Sequence, residues 1–183
     1  TRETSSTGEV QENWSTEIWG KCNNWIRSMQ WDRSGQKIIC GDGKGEIRLF
    51  DGCRTVDFDH KHKTNVRHLT WLEHKSIVTI ASGDDNGLFC IWNINGNCIF
   101  EKNLNSKINA ISWLQNGKYL MVSTSEKIHF YKVVFKGQTV DSDILVSLIK
   151  EWNRNKISYI ASKYKDTIDY VAIFEDINLS IFC

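Results

Sequence analysis

Chemically versatile side chains crowd into one stretch, HKHKTNVRHLTWLEHK, where His60, His62, His68 and His74 are interleaved with Lys61, Lys63, Arg67 and Lys75. Imidazoles exchange protons and bind metals near neutral pH, while lysine and arginine donate to phosphate oxygens. The stretch supports two readings: a loop over residues 60–75 that grips RNA or a phosphorylated partner, or a solvated connection in which one histidine is used structurally. Its histidines lack cysteine or carboxylate partners in a zinc-ligand arrangement, so no metal site is expected. Asp42 in GDGKGE and the run Asp84-Asp85-Asn86 before Gly87 are the other polar concentrations. GDGKGE lacks the spacing of a phosphate-binding loop, and DDNG lacks the alternating oxygen ligands and final Glu of a calcium loop. Both read as tight turns. No nucleophile-elbow serine, zinc-protease histidine pair or apolar-embedded carboxylate pair occurs, so neither catalysis nor a cofactor is expected.

The six cysteines (Cys22, Cys40, Cys53, Cys90, Cys98 and Cys183) show no C-x-x-C spacing. Several lie in apolar runs where Cys acts as a small hydrophobe, which predicts a reducing, cytoplasmic setting. With 23 basic and 22 acidic side chains there is no general pull toward nucleic acid or an anionic membrane. Nucleic acid is therefore an unfavoured partner, and protein partners must be selected locally. No apolar segment is long enough to span a bilayer, and the polar start TRETSSTGEVQEN has no signal core. The start at Thr1 suggests a fragment. Proline is absent, in keeping with strand-rich content.

The elements that must hold these residues are short strands. In NVRHLTWLEHKSIVTIASGDDNGLFCIWN, residues 65–93, three apolar strands follow one another with turn signals between them. The pattern recurs: Ile26, Met29 and Trp31, then Val66, Leu69 and Trp71, then Ile108, Ile111 and Trp113, with Trp-to-Trp steps of 40 and 42 residues. Each Trp is followed by a second strand (QKIICGD, SIVTIASGD, KYLMVSTS) and a third ending at Phe50-Asp51, Trp92-Asn93 or Tyr131-Lys132. A weaker fourth unit follows an apparent insertion, FKGQTVDSDILVSLIKEWNRN, with KISYIAS, DYVAIF and LSIFC as its strands. The predicted organisation is a flexible leader over residues 1–12 and an all-β segment over 13–183, with units at about 24–63, 64–105, 106–152 and a partial one at 153–183. NWSTEIWG, residues 13–20, is expected to be an outer strand left over from an incomplete unit.

A period of about 40 residues with three recurring landmarks resembles the WD40 repeat family. The resemblance covers 13–183, most specifically 65–93 and then 25–51. It implies a WD40-type β-propeller, partial or small, with three clear blades and two partial ones, acting as a scaffold for protein–protein interaction in an intracellular complex. It also implies a side-chain network in the central blade through His62, Ser82, Asn86 and Trp92, with Asn86 standing where the family has Asp. The first blade has Cys40 and Lys44 at the Ser and Asp positions, the third Met121 and Ser125. The segment ENWSTEIWGKCNNWIRSMQWDRSGQKI is similar to the WD40 parts of intraflagellar-transport and tubby-like proteins, which implies a ciliary transport or axonemal assembly as an alternative role.

A partner-binding rim follows from strand alternation. Trp25, Arg27, Asn65, Arg67, Lys107 and Asn109 lie before or between the apolar anchors of each first strand and so turn away from the core. Lys156 and Ser158 are their counterparts in the fourth unit. Trp and Arg are the residue types that dominate protein interfaces.

Overall fold

A computed structural model of the chain describes residues 2–4, 10–12, 16–52, 54–74, 77–137, 143–154, 157–165, 168–175 and 178–182. Almost every described element is a strand. β1 (Arg2–Thr4) and β2 (Val10–Glu12) pair within the polar leader. Sheet I then comprises β3 (Ile26–Trp31), β4 (Lys37–Asp42), β5 (Ile47–Asp51) and β6 (Arg54–Asp57). Sheet II holds β7 (Val66–His74), β8 (Ile77–Asp84), β9 (Leu88–Asn93) and β10 (Cys98–Asn103). Sheet III holds β11 (Ala110–Leu114), β12 (Tyr119–Ser123), β13 (Lys127–Phe135) and β14 (Ile144–Asn153), with a single 3-10 turn at Gln115–Gly117. Sheet IV has three strands, β15 (Ile157–Lys165), β16 (Ile168–Glu175) and β17 (Asn178–Phe182). Within each sheet the order is that of the chain and all pairing is antiparallel.

Trp31, Trp71 and Trp113 therefore fall on the first strands of three separate sheets, each opposite an aliphatic residue of the second: Ile38, Ile80 and Leu120. Period-2 alternation then gives each sheet two apolar faces. Sheet II turns Ile80 and Trp92 toward Ile39, Ile47 and Leu49 of sheet I. Its intervening residues Ala81, Phe89 and Ile91 meet Leu120, Val122 and Tyr131 of sheet III. Sheet III repeats this with Met121 and Ile128 against Ile157 and Ile173 of sheet IV. Burial on both faces explains why second and third strands read as continuous apolar runs.

Close approach of consecutive sheets is set by glycine. A Cβ at Gly41 would lie 2.7 Å from Val66 Cγ1, and one at Gly83 2.7 Å from both Ile108 Cγ2 and Ile111 Cδ1. The two glycines hold the same position in sheets I and II.

Two sequence expectations fail. The supposed insertion after Tyr131 is not extra to the repeat: its described part continues β13 and supplies β14, the outer strand of sheet III. Leu145, Leu148 and Ile149 on β14 are exposed and Ile144, Val146 and Trp152 are only partly buried, so the strand lacks the signature of a core strand. Residues 16–20 form no strand; instead Trp19 packs edge-on against Trp31, with ring centroids 5.5 Å apart. Trp19 also helps line a groove of about 560 Å³ with Ile18, Ile26, Ile38 and Phe50, on the side of sheet I away from sheet II. Residues 13–15 of the expected strand lie outside the described residues. Among the described residues no strand pairing joins sheet IV to sheet I.

Candidate functional site

Two constellations stand out, one buried and one on the rim. The buried one is centred on His62, which is fully enclosed although its chain neighbours Lys61 and Lys63 are exposed. Its Nε2 is 2.6 Å from Ser82 Oγ and its Nδ1 is 3.0 Å from Asp84 Oδ2. Trp92 Nε1–H donates to the same Ser82 Oγ at 2.7 Å. Only one proton arrangement satisfies every group: with its oxygen accepting from Trp92, Ser82 donates its hydroxyl to His62 Nε2, and His62 Nδ1–H donates to Asp84. Asp84 Oδ1 accepts the backbone N–H groups of Asn86 and Leu88, each at 2.9 Å, closing the β8–β9 turn. Gly87 supplies the positive φ of +89° that this turn requires. Asp, His and Ser are also the residue types of a hydrolytic triad. Here, however, Ser82 Oγ is buried and committed to Trp92, so this network ties the turn, the incoming loop and β9 together.

The resemblance implies Asn86 in this network, and the structure corrects it to Asp84. Asn86 is exposed in the turn, and only its backbone N–H joins in. The register moves the corresponding positions in sheets I and III as well. In sheet I, Asp42 rather than Lys44 matches Asp84: its Oδ1 accepts the N–H groups of Lys44 and Glu46 at 2.8 and 3.0 Å. Cys40 does match Ser82, and Cys22, 40 residues before His62, comes near both Cys40 and Asp42. A thiol there leaves the buried Asp42 Oδ2 without the hydrogen bond that His62 gives Asp84. In sheet III the register puts Val122 and Thr124 where the resemblance implies Met121 and Ser125. Met121 faces sheet IV instead, and Thr124 Oγ1 accepts from the N–H of Lys127 at 3.2 Å.

The rim lies where the first strands begin and the turns between second and third strands arrive. Trp25 is 76% exposed, its N–H is held by Asn24 Oδ1 at 2.8 Å, and the Arg27 guanidinium sits 5.8 Å from its ring centroid. Asn65, Arg67 and Lys107 converge on Asp85. Asn65 Nδ2 donates at 2.7 Å, Arg67 Nε is 2.9 Å from both carboxylate oxygens, and Lys107 Nζ is 3.3 Å from Oδ1. Burial tends to raise the Asp85 carboxyl, but the bonds from Arg67, Asn65 and Lys107 outweigh it and hold it below the ordinary value. Asn109 Nδ2 donates to the Ile157 carbonyl at 2.5 Å, tying sheet III to sheet IV. The six predicted rim residues thus share one end of the sheets, but four are engaged in internal bonds and only Trp25 and Arg27 present a free apolar-cationic surface. Lys156 lies outside the described residues, as does the side chain of Ser158.

The basic stretch is dispersed rather than pooled. His62 is internal, Lys61 pairs with Glu101 at 3.3 Å, and Arg67 is taken by Asp85. His68 is largely buried, and burial first of all pushes its imidazole down to about 4, against the pull of Asp85 upward. Between its unfolded value of 6.5 and about 4 the unfolded chain binds the extra proton, so stability falls as pH falls through that window. Denaturant unfolding at pH 7 and pH 4 should show a loss of at most about 3 kcal/mol that His68→Gln removes. An equal loss in the variant would assign it elsewhere.

No helix among the described residues is long and apolar enough to cross a membrane. No protein-family model matches the chain, and no curated protein matches it. Solved structures do. The computationally designed Ika4 protein aligns over 92% of this chain and 98% of its own, with a TM-score of 0.67 and 17% identity. The designed Ika8 protein aligns over 86% of this chain with a TM-score of 0.61 and 18% identity. A chain of the Mitotic Checkpoint Complex aligns over 85% with a TM-score of 0.64 and 12% identity. This chain spans about half the length of each of the latter two, at 45% and 48%. At these identities the likeness is one of fold: the chain is an all-β protein of consecutive antiparallel sheets, similar in architecture to these three.

Proposed function

We propose that the chain is a WD40-type β-propeller segment that acts as a non-catalytic scaffold, binding a protein partner of an intracellular complex through the rim at Trp25 and Arg27. The observation that carries this reading is the exposed Trp25–Arg27 stack set beside a rim already locked by Asp85. A rigid aromatic with a guanidinium over it offers large contact area at little cost in ordering. The Asp85 cluster ties the adjoining loops of sheets II and III to one carboxylate, which gives the stack an ordered rim beside it. The His62–Ser82–Asp84–Trp92 network and the recurring sheet-to-sheet packing support the propeller assignment. The basic stretch at 60–75 lends less to an RNA- or phosphate-binding reading, because Lys61 and Arg67 are already paired with Glu101 and Asp85.

The test is affinity capture from cells with the tagged chain and a Trp25→Ala/Arg27→Ala variant of unchanged unfolding midpoint. At least one partner is expected to drop on the order of tenfold or more, as loss of an interface hot spot does. An identical partner set for both proteins would remove the proposed face.

A further inference from the structure

Cys90, Cys98 and Glu101 bring two sulfurs and a carboxylate within 4.8 Å of one another. The strand register shows why. Cys98 lies opposite Trp92, and Glu101 lies opposite Cys90. Directly opposed residues share a face of the sheet, and Trp92 and Cys90 both face sheet I. On an uninterrupted strand, positions three apart such as 98 and 101 point to opposite faces. The register shift between Cys98 and Phe100 inserts one extra residue and resets that alternation, so that both side chains reach Cys90.

The surroundings suit a cation with soft-ligand preference. Cys90 is fully buried, Cys98 is partly buried and the Glu101 side chain is 53% exposed, which leaves an approach from solvent on the carboxylate side. The loop before β7 braces the group from outside: Asp59 Oδ2 accepts the Cys98 backbone N–H at 3.1 Å, and Lys61 Nζ holds Glu101 Oε2 at 3.3 Å. Without a cation, the Cys98 thiol donates to the Phe100 carbonyl oxygen at 3.4 Å, so its Sγ already has a partner. Two thiolates and a carboxylate around a divalent ion leave one excess negative charge, and Lys61 is placed to offset it. Tetrahedral zinc with Zn–S bonds of about 2.3 Å sets its ligands about 3.7 Å apart, so the three groups need close by no more than about 1 Å.

We infer that Cys90, Cys98 and Glu101 form a binding site for one thiophilic divalent cation of the Zn²⁺ class, with a fourth, solvent-facing position left for water. Loading releases two thiol protons, one from each cysteine, as the two S–metal bonds form, with no change of oxidation state. The site lies on β9 and β10 of sheet II and shares no residue with the Trp25–Arg27 face on sheet I, so it stands or falls independently of the proposed scaffold role.

The reduced, metal-stripped chain should bind one equivalent of Co²⁺ with a thiolate-to-cobalt charge-transfer absorption that Zn²⁺ then abolishes. Cys98→Ser should weaken Zn²⁺ binding on the order of 100-fold and Glu101→Gln about tenfold, since even outer partners of metal ligands cost about that much. Cys22→Ser should leave it unchanged. Absence of the band in the folded chain, an undiminished band in Cys98→Ser at the same cobalt concentration, or its loss in Cys22→Ser would each overturn the site. Should Cys98→Ser fail to fold by circular dichroism, Glu101→Gln decides, because its side chain is solvent-facing and an unchanged affinity there refutes the third ligand.

Discussion

Replacing Asp84 with alanine is expected to destabilise the chain by about 3 kcal/mol, the top of the range for leaving a buried hydrogen-bonding group without its partner. The reason is how many groups one carboxylate serves. Its Oδ2 receives His62, and its Oδ1 receives two backbone N–H groups of the turn. His62 is fully buried, so its Nδ1–H has no water to turn to, and an orphaned buried donor carries its full desolvation cost. The effect then propagates, since His62 accepts from Ser82, and Ser82 accepts from Trp92. Asp42→Ala is the internal control, with the same two turn bonds but no histidine on Oδ2, and should cost only about 1 kcal/mol. Urea unfolding followed by Trp fluorescence measures both. A double-mutant cycle of His62→Ala with Ser82→Ala should show coupling of about 1–3 kcal/mol. Equal midpoints for the Asp42 and Asp84 variants would show that the histidine contributes nothing.

Gly83→Val is expected to cost about 3 kcal/mol, at the upper end of overpacking penalties. Already the first added carbon would come within 2.7 Å of two isoleucines on the next sheet, and neither can retreat, because Ile108 is fully buried and Ile111 nearly so. Sheets II and III would have to separate along their inner strands. Gly35→Ala gives the comparison: φ there is +71°, yet no atom lies within 4 Å of the added carbon. Its cost is a backbone term of about 1 kcal/mol. Thermal or chemical unfolding of the two variants separates steric from conformational demand. A Gly83→Val protein as stable as Gly35→Ala would mean the sheets are not packed this closely.

Much of the architecture is legible in the sequence, because strands buried on both faces must be apolar along their whole length and each unit repeats its tryptophan, turn and closing aromatic. Those local requirements alone set the first three strands of each of three units and the rim residues at the start of each first strand. The turn chemistry is visible too, in GDGKG and GDDNG, where Asp and Gly are the residues a tight hairpin demands. What escapes a sequence reading are the elements whose burial is too slight to imprint a pattern. β14 resembles an insertion because Leu145, Leu148 and Ile149 stand in solvent and Ile144, Val146 and Trp152 are only partly buried, and residues 16–20 resemble a strand because alternation does not distinguish a strand from a loop that packs through Trp19.

Which polar groups meet is decided only in three dimensions. Asp84, Asp85 and Asn86 are chemically similar neighbours, and the choice of Asp84 for His62 depends on the direction in which each leaves the turn. By position alone Asn65, Arg67 and Lys107 are free to bind a partner, yet the loops of two sheets deliver them to a single carboxylate. Cys98 and Glu101 sit three residues apart, a spacing that assigns them to opposite faces until a one-residue bulge brings them together. Sequence determined the apolar strands of each unit and their order along the chain, since these answer to local burial. Tertiary structure determined the partners of each polar side chain, since those depend on register, on bulges and on which sheet lies next door.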